Sequence, residues 1–173
     1  MISATLHCDG GCEPNPGEMG IGGHLTIDGV EVVDFSERAG KGTNNQAEYL
    51  ALIHGAKLAL QLNVTHLDIN MDSLLIVNQM TGTWRNKDAE LTRLMGVARK
   101  VVANFEKVTY AQIPREQNKK ADNLATLGRS GTGTDNRPAK KTASYQGEDT
   151  KDILLRIERK LDLLLDKLDS DAN

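Results

Sequence analysis

The sequence is poor in aromatic residues, in cysteine and in long apolar runs, and each shortage excludes a class of protein. Aromatic residues make up 3% of the 173 residues. No apolar run approaches the roughly 20 residues of a membrane-spanning helix, and the N-terminus resembles no signal peptide. Cys8 and Cys12 are too few for a disulfide framework, and no second pair of Cys or His stands at zinc-ligand spacing. We therefore expect a soluble, cytoplasmic protein that binds no membrane.

The net charge of −3 is distributed unevenly along the chain. Residues 1–128 are acidic, residues 129–147 are basic and residues 148–173 are acidic again. A protein that coats nucleic acid without specificity is usually basic, because phosphate contacts drive its affinity. The acidic first segment disfavours such a coat protein and leaves room for a metal-dependent nuclease.

Composition divides the chain at the same points. Residues 1–128 have the periodic apolar pattern of one globular domain, and residues 129–147 have the Gly, Ser, Thr and Lys content of a flexible linker. In the last segment, apolar residues repeat at spacings of three and four, as in an amphipathic helix: Leu154, Ile157, Leu161, Leu164 and Leu168. We expect this association helix, residues 148–173, to dock on its own domain, form a homo-oligomer or bind a protein partner through residues 150–169.

The apolar periodicity of the first segment predicts an α/β domain with the element order βββαβααβα. We expect a mixed five-stranded sheet with flanking helices, followed by the C-terminal amphipathic helix. The predicted strands are 2–8, 19–27, 30–38, 67–71 and 108–113, and the main predicted helices are 43–62, 74–80, 88–105 and 117–127.

Local signals set the predicted ends of these elements. Asp28-Gly29 is a type I′ hairpin signal, Thr43 with Gln46 forms a capping box at a helix start, and Asp88 can cap the helix predicted at 88–105. We expect a loop at residues 39–42, Glu48 in the first helical turn, and Gly128 as the C-terminal cap of the last helix.

Four acidic residues are predicted to meet at one edge of the sheet. A right-handed crossover places the fourth strand parallel to the first, so that Asp9 and Asp72 share an edge. Glu48 and Asp122 reach the same edge from helices. Each acid alone has a local explanation as a turn, cap or exposed helical residue, but four such acids together repel one another unless a cation compensates them. Mg²⁺ prefers such oxygen ligands, and two ions would suit phosphodiester hydrolysis.

Four ordered motifs in residues 1–128 resemble the ribonuclease H type 1 family. HCDGGCEPNPGEMGIGG is similar to the family's first catalytic strand and glycine-rich loop, and GTNNQAEYLAL to its glutamate helix. INMDSLLIVNQMTG and IPREQNKKADNLA are similar to its second aspartate strand and its closing segment. The resemblance implies an RNase H-like fold and an endonuclease that cuts the RNA strand of RNA/DNA hybrids, leaving 5′-phosphate and 3′-hydroxyl ends.

The resemblance also implies roles for single residues. The metal-binding catalytic carboxylates fall on Asp9, Glu48, Asp72 and Asp122, which would hold two Mg²⁺ ions, with Mn²⁺ as a substitute. The residues implied to contact the hybrid are Asn15, Asn44 and Asn45 in the minor groove, Thr43 and Trp84 on the DNA strand, and Ser73. A purely structural role explains Asn15 and Thr43 equally well, because Asn15 lies in a turn signal and Thr43 caps a helix.

Two features depart from better-known members of that family. The segment before Asp122 has no histidine, and Arg115, seven positions before Asp122, is the basic residue available in its place. Because a guanidinium stays protonated, we assign Arg115 to electrostatic stabilisation or product departure and not to proton abstraction. Residues 80–88 leave no space for a basic protrusion that grips the hybrid, so the basic linker around Lys140 and Lys141 is a candidate for compensating phosphate attraction.

Two other functions are consistent with the same sequence. One is a noncatalytic module that binds hybrids or assembles with partners, and the other is a related nuclease for double-stranded RNA or DNA junctions. The complete set of four carboxylates favours an enzyme, and Asn15 with residues 43–45 favours the hybrid.

Overall fold

The sheet is mixed, and its five strands stand in the order β3-β2-β1-β4-β5. The computed structural model describes residues 1–131. Its strands are Ser3–Cys12 (β1), Gly17–Ile27 (β2), Val30–Gly42 (β3), His66–Met71 (β4) and Lys107–Gln112 (β5). The first three strands are antiparallel, whereas β4 runs parallel to both β1 and β5. The predicted five-stranded α/β sheet and its element order are confirmed.

Four α-helices accompany the sheet within residues 1–131, and a short 3₁₀ turn precedes the last of them. The helices are Asn44–Gln61 (α1), Leu74–Met80 (α2), Ala89–Val102 (α3) and Lys119–Ser130 (α4). Thr43 caps α1 in the predicted capping box, and Asp88 caps α3 as predicted. Within the part of the chain that the structure describes, no helix is long and apolar enough to cross a bilayer. The association helix and nearly all of the predicted linker lie outside the described residues.

Two glycines let helices approach the two faces of the sheet. A Cβ on Gly10 of β1 would collide with the backbone of Ala47 in α1, and a Cβ on Gly22 of β2 would collide with the backbone of α4. Helix α1 therefore covers one face and α4 the other. Because Asp9 pairs with Gly22, and paired residues share a face, Asp9 lies on the α4 face.

The antiparallel strands are longer than predicted. β1 continues through Asp9 to Cys12, and β3 includes residues 39–42, for which we expected a loop. Both extensions are stabilised by β2, because Cys12 pairs with Met19 and Gly42 pairs with Gly17. Glycine-rich sequence weakens a strand signal, but cross-strand pairing overrides it. The Asp28-Gly29 hairpin is confirmed, with φ of 51° and 78°.

Two predicted positions at helix ends are wrong. Glu48 lies in the second turn of α1 and not in the first, because the helix begins at Asn44. Gly128 lies inside α4, where a side chain would collide with the backbone of Glu37. Gly131 is the C-cap, and its φ of 74° is the left-handed conformation that favours glycine. Helix α4 therefore continues to Ser130, three residues further than predicted.

Candidate active site

Asp9 and Asp72 come from neighbouring parallel strands. The pairing of β1 with β4 ends at His7 and Asn70, and each aspartate lies two residues beyond that point. The two strands run in the same direction, so both carboxylates emerge at the same edge of the sheet. This edge is where open parallel sheets usually bind ligands.

Glu48 from α1 and Asp122 from the first turn of α4 line the same cleft as the two aspartates. We call the opening between these four residues the carboxylate cleft, and its volume is about 240 Å³. The cleft is also lined by Gly10, Gly11, Cys12, Asn44, Arg115, Ala125, Thr126 and Arg129. Four elements distant in sequence thus bring four acids to one opening, as the sequence predicted.

Burial and neighbouring acids raise the pKa of two of the four carboxylates. Burial, followed by the charges of Asp72 and Glu48, raises the pKa of Asp9 to about 7. Burial also raises the pKa of Glu48 to about 7, although a hydrogen bond from Ser73 opposes the rise. A proton or another cation is therefore favoured in this cleft near neutral pH.

Two polar side chains hold the carboxylates in place. The hydroxyl of Ser73 donates a hydrogen bond of 2.6 Å to Oε2 of Glu48. The amide of Asn118 donates one hydrogen bond of 2.7 Å to Oδ1 of Asp72 and another of 3.1 Å to the carbonyl of Cys8. Ser73 thus contacts a cleft acid directly, and Asn118 connects the start of α4 to both β1 and the end of β4.

Asn118 is not among the site residues predicted from the sequence. Asn118 immediately precedes α4 and is fully buried, although the two lysines that follow it, Lys119 and Lys120, suggest an exposed helix start. The one available signal was its position four residues before Asp122, which places both side chains near the same face of the helix.

The chemistry of the cleft fits divalent cations. The charged oxygens available to a cation in its lining are those of four carboxylates. Among residues 1–131, no three acidic, histidine or cysteine side chains already close around one ion. An open arrangement of this kind suits Mg²⁺, which usually keeps several waters and takes further ligands from substrate phosphates.

Arg115 lies at the mouth of the cleft. Its Nη2 atom is 3.3 Å from Oδ1 of Asp122, and 73% of its side chain is exposed. The contact brings a fixed positive charge next to one of the four acids and leaves most of the guanidinium in solvent. The structure thus places Arg115 beside the carboxylates, as the sequence predicted.

A second polar group, at one side of the cleft, consists of Cys12, Asn15 and Asn44. Oδ1 of Asn44 accepts hydrogen bonds from the backbone N–H of Cys12 at 2.8 Å and from its thiol at 3.3 Å. Oδ1 of Asn15 accepts from the N–H of Asn44 at 3.3 Å and from the same thiol at 3.4 Å. Both amide oxygens are therefore engaged by hydrogen bonds within the protein. No sequence signal indicates that Cys12 organises these amides.

The remaining predicted substrate residues lie outside the lining of the cleft. Thr43 is occupied as the N-cap of α1, where its side chain accepts from the N–H of Gln46. Asn45 is half-buried in the first turn of the same helix. Trp84 is 45% exposed and therefore not a core residue. Only Asn44 of the predicted minor-groove and DNA-strand contacts lines the cleft itself.

Comparison with known proteins identifies the family of residues 7–128, which match the model of the family described as reverse transcriptase-like. The chain is 38% identical over 126 residues to the bifunctional protein Rv2228c of Mycobacterium tuberculosis, covering 72% of this chain and 35% of that protein. It is 36% identical over 118 residues to ribonuclease HI of Halobacterium salinarum, covering 68% of this chain and 59% of that enzyme. The chain thus spans about a third of the length of the mycobacterial relative.

Solved structures show the same fold. The N-terminal RNase H domain of Rv2228c has a TM-score of 0.73 at 32% identity and covers 76% of this chain and 96% of that chain. RNase H1 of H. salinarum has a TM-score of 0.71 at 33% identity, over 75% and 98% of the two chains. LC11-RNase H1, solved in complex with an RNA/DNA hybrid, has a TM-score of 0.69 at 31% identity, over 74% and 97%. Residues 7–128 therefore belong to the reverse transcriptase-like family and have the RNase H fold.

Proposed function

We propose that this protein is an endoribonuclease that cleaves the RNA strand of RNA/DNA hybrids with the help of divalent cations. The observation that carries the proposal is the carboxylate cleft, in which two of four converging acids have a pKa near 7. Similarity to ribonuclease HI of H. salinarum and to a hybrid-bound RNase H1 supports the choice of substrate.

Asp9, Glu48, Asp72 and Asp122 would hold the cations. When bound, two Mg²⁺ or Mn²⁺ ions would activate water and stabilise the leaving oxygen of the phosphodiester, which would give 5′-phosphate and 3′-hydroxyl ends. Asn118 and Ser73 orient Asp72 and Glu48 through the hydrogen bonds described above. Polar partners of metal-binding carboxylates typically fix ligand orientation in this way.

Arg115 supplies positive charge at the mouth of the cleft. The guanidinium contacts Asp122 and is largely exposed, so it is free to turn towards a phosphate. It remains protonated and therefore cannot accept a proton from water. Its role is electrostatic, either on the developing charge of the phosphodiester or on the departing 5′-phosphate.

Asn15 and Asn44 would recognise the minor groove of the hybrid. Their amide oxygens are held by Cys12 and by the backbone, which leaves NH₂ donors for sugar and base acceptors. An A-like duplex exposes 2′-hydroxyls in a shallow minor groove, so contacts there distinguish RNA from DNA without reading sequence. We assign Asn45 to the same groove, and Thr43 and Trp84 to the DNA strand.

Other segments would provide affinity or association. Only residues 81–88 connect α2 to α3, so the described domain has no basic protrusion at that point. We propose that residues 129–147, of which the first two still belong to α4, form a basic linker that attracts phosphates, and that residues 148–173 form a helix for self-association or a protein partner.

Cleavage of strand-labelled duplexes tests the proposal. RNA/DNA, RNA/RNA and DNA/DNA duplexes are incubated with the wild-type protein, Asp9→Asn and Asp72→Asn, with Mg²⁺ and with EDTA. We expect Mg²⁺-dependent cutting of the RNA strand in the hybrid only, and a loss on the order of a thousandfold or more in both variants. Binding without cleavage would identify a noncatalytic module, cleavage of RNA/RNA would identify a different nuclease, and an active Asp72→Asn would reject the assigned site.

A further inference from the structure

Arg129 is a second basic residue of the cleft that the proposed chemistry does not use. Asp122, Ala125, Thr126 and Arg129 all line the cleft, and their spacing of three, four and seven places them on one face of α4. Seven residues of helix correspond to roughly 10 Å along its axis. A nucleic-acid backbone that enters the cleft at Asp122 and follows this face therefore passes Arg129.

The guanidinium of Arg129 contacts Glu13, in the segment between β1 and β2. Nη2 of Arg129 is 3.3 Å from Oε2 of Glu13, and the two side chains are 26% and 80% exposed. An ion pair with one partner so accessible contributes little to stability. Breaking this ion pair therefore costs little free energy, and another anion of suitable geometry can replace Glu13.

A phosphate is the anion that fits this position best. A guanidinium presents several N–H donors in one plane and binds phosphate oxygens in pairs. Among the described residues that line the cleft, Arg115 and Arg129 are the basic ones, and they lie at positions on either side of Asp122 in the chain. The domain also has a net negative charge and a short α2–α3 connection, so each phosphate contact in the cleft contributes a large share of affinity.

We propose that Arg129 binds a phosphate of the RNA strand next to the cleavage site, and that Glu13 occupies the guanidinium until substrate replaces it. This inference rests on the proposed function, since it takes the strand in the carboxylate cleft to be RNA. The proposal gives the two partners opposite effects: Arg129 favours substrate binding, and Glu13 competes with it. A purely structural ion pair would give the same effect for both.

Hybrid binding and cleavage by five single variants test the proposal. Arg129→Gln and Glu13→Gln neutralise one partner each, and Arg93→Gln with Glu90→Gln forms the matched control. The control pair is an exposed arginine–glutamate contact of 2.6 Å on α3, outside the residues that line the cleft. Binding is measured by fluorescence anisotropy in the Asp9→Asn background, so that the hybrid stays intact, and KM and kcat are measured in the wild-type background.

We expect Arg129→Gln to raise Kd and KM roughly three- to tenfold and to reduce the slope of log Kd against log salt by about 1. Glu13→Gln should lower Kd about twofold or more, and both control variants should stay within about twofold of their parent. Arg129→Lys should recover part of the loss, because the charge remains but the planar donors do not.

Three results would overturn the proposal: equal losses in Arg129→Gln and Glu13→Gln, an unchanged salt slope in Arg129→Gln, or control variants that match the cleft variants. Failure of the proposed function gives a different pattern. In that case the wild-type protein cuts no hybrid, while the anisotropy measurements still decide whether Arg129 binds a phosphate backbone.

Discussion

Two polar clusters lie on the α4 side of the same sheet, and they differ in how their charges are compensated. One is the carboxylate cleft at the end of β1 and β4. The other, which we call the histidine network, comprises His7, His24, Glu31, Asp34 and Lys120. His7 is only two residues before Asp9 on β1, so two neighbouring positions on one face of a strand lie in different electrostatic environments.

The histidine network contains its own counter-charge. The ammonium of Lys120 donates to Oε2 of Glu31 and, at 2.9 Å, to Oδ1 of Asp34. The rings of His7 and His24 stack with centroids 4.8 Å apart and planes 9° apart. Burial, together with the nearby His7 and Lys120, lowers the pKa of His24 to about 4, and burial lowers the pKa of His7. Both rings are neutral at pH 7, and the two carboxylates face a cation.

The carboxylate cleft has no comparable compensation within the described residues. Arg115 contacts one acid at its exposed mouth, and Arg129 is paired with Glu13. The two clusters show how acids with different roles can be distinguished. Acids paired with a cation hold structural elements together, whereas unpaired acids that share a cleft repel one another until a bound cation relieves the repulsion.

The largest expected effect in the comparison comes from Asn118, which supports the cleft without contacting solvent. We expect Asn118→Ala to lower cleavage about 10- to 100-fold, because Asp72 loses the donor that fixes its orientation. The Mg²⁺ concentration for half-maximal activity should rise as well. Steady-state rates across a Mg²⁺ titration measure both effects.

A matched variant distinguishes positioning from folding. Ser36→Ala removes another buried polar contact to α4, the 2.6 Å hydrogen bond to the carbonyl of Leu124, without approaching the acids. It should lose stability but keep its Mg²⁺ dependence. If Ser36→Ala and Asn118→Ala shift the Mg²⁺ dependence equally, the positioning role of Asn118 is refuted.

The next prediction concerns stability and tests the histidine network. Lys120→Met leaves Glu31 and Asp34 without their shared cation, and we expect a loss of about 1 to 3 kcal/mol in the free energy of unfolding. Urea denaturation measures the loss, and cleavage by the folded fraction should change less than about threefold. A stable Lys120→Met would show that the network is not held together by its lysine.

The last expected effect, of about the same size, is a difference in the sign with which stability depends on pH. In the metal-free protein, the raised pKa of Asp9 lowers stability as pH rises from about 4 to 7, because the folded state retains the proton longer than the unfolded state. The lowered pKa of His24 acts in the opposite sense and lowers stability as pH falls from 6.5 to about 4.

Variants separate these two contributions. With EDTA present, Asp9→Asn should reduce the loss of stability between pH 5 and pH 8, and His24→Gln should reduce the loss between pH 6.5 and pH 4. Each difference should be about 1 to 3 kcal/mol, since one pKa unit corresponds to about 1.4 kcal/mol. Urea denaturation at each pH checks both signs: Asp9→Asn should make the slope of the unfolding free energy against pH more positive, and His24→Gln should make it less positive. A slope change of the same sign in both variants would contradict the assignment.

Much of the fold could be predicted from local sequence signals. The Asp28-Gly29 turn and the Thr43 and Asp88 caps depend on hydrogen bonds within four residues, and the structure has all three. The parallel placement of β4 beside β1 followed from the handedness of crossovers, which is a general rule.

The errors arose where distant residues decide the outcome. The length of β1 depends on pairing with β2, and Gly128 serves the close packing of α4 on Glu37 instead of ending the helix. In the site, too, the features that could not be predicted depend on contacts between residues distant in sequence. Acids could be assigned from their order along the chain, but Asn118, Cys12 and Arg129 acquire significance only from contacts across 46, 32 and 116 residues.

The central claim is that the carboxylate cleft is built to accept divalent cations, and thermal unfolding across a Mg²⁺ titration at pH 7.5 tests it most directly. Wild-type protein should gain several degrees of Tm, because a ligand that binds only the folded state stabilises it. Metal-free Asp9→Asn should start at a Tm equal to or above that of the metal-free wild type and gain little from Mg²⁺. An equal Mg²⁺-dependent gain in Asp9→Asn, or no gain in the wild-type protein, would contradict the account.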